Sequence, residues 1–117
     1  MKIGAWFLKR TTRLPRTNAT VREIDWSIGF LEGEGSFVRG NSHTVSAGQK
    51  NKEPLERLVR AFGGRISRRT KSRLWFWQVS GAQARGVMMT LYGGLTRRRK
   101  RQIRKALYAV EIGRAHV

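Results

Sequence analysis

The chain has no cysteine, only two prolines and only seven Asp and Glu among its 117 residues. Without thiols there is no disulfide framework and no thiolate metal centre, which fits a reducing compartment. No stretch approaches the roughly 18 apolar residues of a membrane span. The opening Met1 to Leu8 is too short and too weakly apolar for a secretory signal, so a cytoplasmic location is expected, or an organellar one in a eukaryote. The length supports one core in one domain.

Against this scarcity of acid stand 25 Lys and Arg, a net charge of +18 and a pI near 11.9. Such an imbalance calls for a polyanionic partner. Nucleic acid is preferred to an acidic membrane surface, because no strongly amphipathic basic terminus is evident. Apolar content of 39% in periodic segments argues that the chain folds despite its charge.

Residues 1–19 scatter basic side chains around Trp6, Phe7, Leu8 and Pro15 without a period, and read as a basic arm that is either disordered or touches DNA. Thr20 and Glu23 then form a capping box for a helix. Val21, Ile24, Ile28 and Leu31 make one apolar stripe on it, and Trp26, Gly29, Phe30 and Gly33 a second face. Two buried faces need two partners, the chain's own sheet and the same helix of a second subunit. Two short strands follow at 36–39 and 44–49 around Gly40-Asn41-Ser42. A second helix opens at Glu53-Pro54, carries Leu55, Leu58, Val59 and Phe62, and stops at Gly63-Gly64.

A second hairpin is predicted from 65–69 and 73–80 around Thr70-Lys71-Ser72, with Trp75, Phe76, Trp77 and Val79 on its second strand. Alternating aromatics favour the core, and the basic side chains at the tip are the better nucleic-acid candidates. Ser80 with Gln83 reads as another capping box, opening a third helix that carries Ala84, Val87, Met88 and Leu91 and ends at Gly93-Gly94. Thr96 caps a last helix in which Ile103, Leu107 and Val110 pack. The expected fold is α+β, in the order αββαββα, with a four-stranded antiparallel sheet and its helices on one face.

Four of the seven acids, Glu23, Asp25, Glu32 and Glu34, fall in one short region. Glu32 and Glu34 stand at the end of the first helix, where exposed carbonyls disfavour negative charge. Acids kept there in so basic a chain point to cation binding. The lone His43 carries no weight as a metal ligand.

The stretch Ser27-Ile28-Gly29-Phe30-Leu31-Glu32-Gly33-Glu34-Gly35 resembles the LAGLIDADG motif of homing endonucleases, with Ser27 in place of the usual leading apolar residue. The order of elements over residues 20–110 is similar to one LAGLIDADG unit of the single-motif, homodimeric type. That resemblance implies a site-specific endonuclease hydrolysing double-stranded DNA with Mg2+ or another divalent cation. Glu34 would be the main metal ligand, Gly33 would lend a carbonyl, and Glu32 would be structural. Gln49 would orient water, and Arg98 or Arg99 would face the catalytic centre, where the family usually has Lys. Trp26, Gly29, Phe30 and Gly33 would form the dimer interface. The hairpins would lie in the major groove, with Arg39, Lys50, Arg65, Arg68, Arg69, Lys71 and Arg73 contacting DNA. The first hairpin is shorter than the family's usual one.

Two alternatives stay open at this point: a LAGLIDADG protein without cleavage, acting as a DNA-binding regulator or an RNA-splicing maturase, and an unrelated basic RNA-binding protein. Residues 111–117 back-translate through a common sequencing adapter to an in-frame stop, and are expected to be an assembly artefact.

Overall fold

The computed structural model describes residues 19–115, as backbone only from 109 onward. The basic arm and His116 lie outside the described residues. The helix α1 (Val21–Glu34) starts as expected: the Thr20 hydroxyl accepts from the Glu23 N–H and the Glu23 carboxylate accepts from the Thr20 N–H, each at 3.1 Å. Leu31 is fully buried, and Ile24 and Ile28 pack against the core. Val21, assigned to the same stripe, is instead 75% exposed, because it sits in the first turn beyond the edge of the packed layer.

From α1 the chain runs directly into β1 (Gly35–Arg39), which pairs with β2 (His43–Gln49). After α2 (Lys52–Phe62) come β3 (Arg65–Arg68) and β4 (Trp75–Ser80). The helix α3 (Gly81–Leu91) passes through a 3-10 turn, Tyr92–Gly94, into α4 (Arg97–Ala115). The four strands form one antiparallel sheet in the order β1-β2-β4-β3. All four helices pack on one side of it around Leu55, Leu58, Trp77, Met88, Leu91 and Ile103. Among the described residues no helix is long and apolar enough to cross a membrane.

Two glycines make the link from α2 to β3. Gly63 and Gly64 have φ of 81° and 92°, a region that side-chain-bearing residues rarely enter. The Gly63 carbonyl accepts from the Trp77 indole N–H at 2.9 Å, which ties the helix end to the middle of β4.

The second capping box does not form. Ser80 precedes α3 without a side-chain cap, and the Gln83 amide donates to the Phe62 carbonyl at the end of α2 instead. An orphan carbonyl brought close by the tertiary fold has captured the side chain that the local pattern assigned to Ser80.

Ser27 is fully buried in α1 and its hydroxyl has no hydrogen-bond partner among the described residues. A buried hydroxyl left without a hydrogen bond costs about 1–3 kcal/mol. Ser27→Ala is therefore expected to raise stability by about 1 kcal/mol, read as an upward shift of the thermal midpoint; a downward shift would mean that the hydroxyl is satisfied.

Candidate functional site

The end of α1 meets the beginning of α4, and the two acids of the motif part company there. Glu32 accepts from the Thr96 backbone N–H at 2.8 Å through one carboxylate oxygen and from the Thr96 hydroxyl at 2.7 Å through the other. Its charge, unfavourable at the end of its own helix, is placed at the positive end of α4. The Thr96 N–H, aided by the Thr96 hydroxyl, Arg99 and Arg98, holds the Glu32 pKa below the ordinary carboxylate value against the opposing effect of burial. The Glu34 side chain is exposed at the last position of α1, and no described hydrogen bond engages its carboxylate.

Arg99 completes the joint. It is only 6% exposed, and its Nε donates to the Glu32 carbonyl at 2.8 Å. One terminal nitrogen donates to the Gln102 side-chain oxygen at 2.8 Å, and the other reaches the Gly33 carbonyl at 3.4 Å. The last-turn carbonyls of α1, which have no partner within the helix, are thus met by a guanidinium. Burial and the neighbouring Arg98 lower the Arg99 pKa, and Glu32 and Glu34 oppose them. Arg98, the other candidate for this place, points outward and is exposed. The sequence carried a signal that separates the two: on α4 the buried positions Arg99, Ile103 and Ala106 share one phase, and Arg98 is out of it.

Gln49 closes the far end of β2, two residues beyond Ala47, the partner of Gly35. Since Gly35 directly follows Glu34, the strand end carrying Gln49 and Lys50 and the helix end carrying Glu34 share one end of the sheet. The Gly33 carbonyl keeps a lone pair beside its long contact with Arg99. Among the described residues no three His, Cys, Asp or Glu side chains cluster as a metal site. One open carboxylate with a neighbouring carbonyl is an oxygen donor set of the kind hard divalent cations take, and it requires further ligands from outside the chain.

The four predicted interface residues divide into two pairs. A Cβ built on Gly29 or Gly33 meets nothing within 4 Å, so both glycines face open space. Trp26 and Phe30 lie on the flank, stacked on each other with centroids 5.1 Å apart, and Arg57 of α2 covers Trp26 at 4.1 Å.

Strand register sorts the basic candidates by face. The side turned away from the helices carries three rows: Val38, Thr44 and Ser80; Ser36, Ser46, Gln78 and Arg65; Gly48, Phe76 and Ser67. Arg69 belongs to this open side and lies over the Phe76 ring at 4.5 Å. Arg68 lies on the helix side, where it and Lys52 cover Trp75 at 5.0 and 4.7 Å. Lys71 and Arg73 are exposed in the β3–β4 connection. Arg39, at the end of β1, lines a groove of about 360 Å³ between β1 and α4 with Arg99, Gln102 and Lys105, and no acid among the described residues lines it.

His43, which the sequence left without a role, is 5% exposed and sits between two guanidinium groups. A terminal nitrogen of Arg39 lies 3.3 Å from its Nε2, and one of Arg85 lies 3.4 Å from its Nδ1. Burial first, then Arg39 and Arg85, lower its pKa, against the raising effect of the Ala106 backbone. The unfolded chain therefore binds a proton here more readily than the folded one. This contribution to stability is fully present above the ordinary value near 6.5 and is lost as pH falls through the lowered folded value. His43→Gln is expected to remove that component, measured as a smaller drop in urea midpoint between pH 7.5 and pH 5; equal drops in the two proteins would show that His43 does not titrate in this way.

A helix that ends in an acidic Gly-rich motif, followed by two hairpins on one antiparallel sheet, is the fold of the LAGLIDADG homing endonucleases, and this chain has it. An archaeal intron-encoded homing endonuclease complexed with DNA is similar at TM-score 0.60 and 20% identity, over 76% of this chain and 69% of that one. The homing endonuclease I-CvuI, in complex with a target DNA that is not cleaved in the presence of Mg, is similar at TM-score 0.63 and 16% identity, over 76% of this chain and 66% of its own. The LAGLIDADG homing endonuclease I-SmaMI, bound to cleaved DNA, matches 96% of this chain at TM-score 0.59 and 16% identity, but the match spans only 45% of its own length. No protein-family model and no curated protein matched the sequence.

Proposed function

We propose that the protein is a homodimeric, site-specific endonuclease that hydrolyses phosphodiester bonds of double-stranded DNA with a divalent cation, magnesium being the natural candidate. The observation that carries this reading is the division of labour at the end of α1. Glu32 is engaged by Thr96 at the start of α4, whereas the Glu34 carboxylate, two residues on, is exposed and makes no described hydrogen bond, although its charge acts on Arg99.

In this reading Glu34 and the Gly33 carbonyl are the chain's ligands for the metal. A bound divalent cation would neutralise the phosphate and favour ionisation of a water. Arg99 fixes the α1 terminus and with it the placing of Glu34, while exposed Arg98 is free to approach a phosphate. Gln49 can hydrogen-bond and orient a water from the strand end beside the motif. One carboxylate per chain is a sparse ligand set, and a twofold axis through α1 remedies it by bringing a second Glu34 to the centre. The open space over Gly29 and Gly33 supports that docking, since glycine lets two helices approach closely. A symmetric dimer implies a pseudo-palindromic target read by the open sheet faces. The fold supports this reading over an unrelated basic RNA-binding protein, whose case rested on charge alone.

The test is cleavage of a randomised double-stranded DNA library with magnesium and with chelator. Cleavage at one enriched site, lost with chelator, is expected. Binding of an enriched site without cleavage under either condition would overturn the nuclease reading in favour of a regulator.

A further inference from the structure

Small residues make up much of the open face of the sheet, beside Val38, Gln78 and Arg65, and Phe76 is its one aromatic in the paired strands. Ser36, Ser46, Ser67, Thr44 and Gly48 are the small ones, and Phe76 lays a ring across the face. That ring needs the glycine opposite: a Cβ on Gly48 would stand 2.9 Å from the Phe76 Cε1 atom. Arg69 covers the ring at 4.5 Å, and the backbone beneath it is fixed as well, since the Arg69 carbonyl accepts from the Ser72 N–H at 3.1 Å. A guanidinium held over a ring by its charge can keep N–H groups for another partner, and a held arginine loses less freedom when it binds. Among the described residues no side-chain hydrogen bond uses those donors.

From this arrangement we infer that Gly48, Phe76 and Arg69 form a guanine-reading subsite: Phe76 seated on Gly48 holds the Arg69 fork edge-on to the major groove, where it donates to the O6 and N7 atoms of one guanine in each half-site. The inference rests on the double-stranded DNA reading above and adds the side chain and the base. Guanine is the base whose major-groove edge offers two acceptors side by side, and an arginine fork matches them. Arg68, the next residue along the chain, does not share this role. It lies on the helix side against Trp75, so its charge acts on phosphate or on the fold and carries no base preference.

The experiment is selection of bound fragments from a randomised double-stranded DNA library, with base frequencies read at each position. Wild type is compared with Arg69→Lys, Phe76→Leu and Arg68→Ala. Wild type is expected to enrich a G·C pair at one position per half-site. Arg69→Lys, which keeps the charge and loses the fork, should cut that preference by about tenfold or more while the other positions hold. Phe76→Leu should weaken the same position, and Arg68→Ala should lower binding with all preferences unchanged. An Arg69→Lys profile identical to wild type overturns the subsite, and so does a wild type that binds without enriching any sequence. Because the bound fraction is read in calcium, failure to cut, which would sink the nuclease reading, leaves this test intact.

Discussion

Glu34→Gln is expected to lower DNA cleavage by about a thousandfold or more while leaving DNA binding in place, since metal stabilisation of a phosphoryl transition state contributes several kcal/mol. The amide has nearly the shape of the carboxylate but not its charge, so it is a poor ligand for a hard cation. The fold should not notice the change, because Glu34 is exposed and no described hydrogen bond depends on it. Glu32→Gln provides the contrast. That substitution weakens the hold on Thr96 at the start of α4 and should reduce stability, with cleavage falling only as far as the α1 terminus loosens. A plasmid carrying the selected site, cut with magnesium, reads both variants; cleavage by Glu34→Gln at the wild-type rate would remove Glu34 from the metal.

The second large effect concerns assembly. Gly29→Leu should stabilise the isolated chain and break the dimer. The new side chain enters open space on α1 and meets nothing within the chain, and leaving glycine in a helix interior gains about 0.5–1 kcal/mol. At the close helix contact proposed above the same side chain would be overpacked by about 1–3 kcal/mol, and a twofold axis would present it twice. Sedimentation is expected to show dimerisation weakened, with Kd raised by roughly a hundredfold or more, alongside a raised urea midpoint at high dilution. A variant that dimerises as tightly as wild type would place the interface elsewhere.

Periodicity was enough to recover the order of elements, because each amphipathic segment packs on the same sheet. The errors fall where one element answers the needs of another. Thr20 and Glu23 follow the local capping rule, whereas Ser80 and Gln83, with a similar pattern, do not, because the Phe62 carbonyl lies within reach of Gln83. Glu32 looked misplaced by the rules of one helix, and the start of a second helix, 64 residues on, accounts for it. The two acids of the motif therefore gave one shared signal in the sequence and have two fates in the fold.

Other distinctions depended on which side of an element a residue occupies. The phase of α4 buries Arg99 and exposes Arg98. Strand parity places Trp75 and Trp77 towards the helices and Phe76 away from them, so a run of aromatics that reads as core divides between core and surface. His43 had no local signal at all, since Arg39 and Arg85 reach it from separate elements.

The most direct measurement mixes subunits. Wild-type and Glu34→Gln chains carrying different tags are co-refolded, the mixed dimer is purified through both tags, and its action on the selected DNA site is followed with magnesium. Two copies meeting at Gly29 and Gly33, each bringing one Glu34 to one strand, predict a mixed dimer that nicks a single strand, while wild type cuts both. Double-strand cleavage by the mixed dimer at the wild-type rate, or full activity in a species that sediments as a monomer, would contradict it.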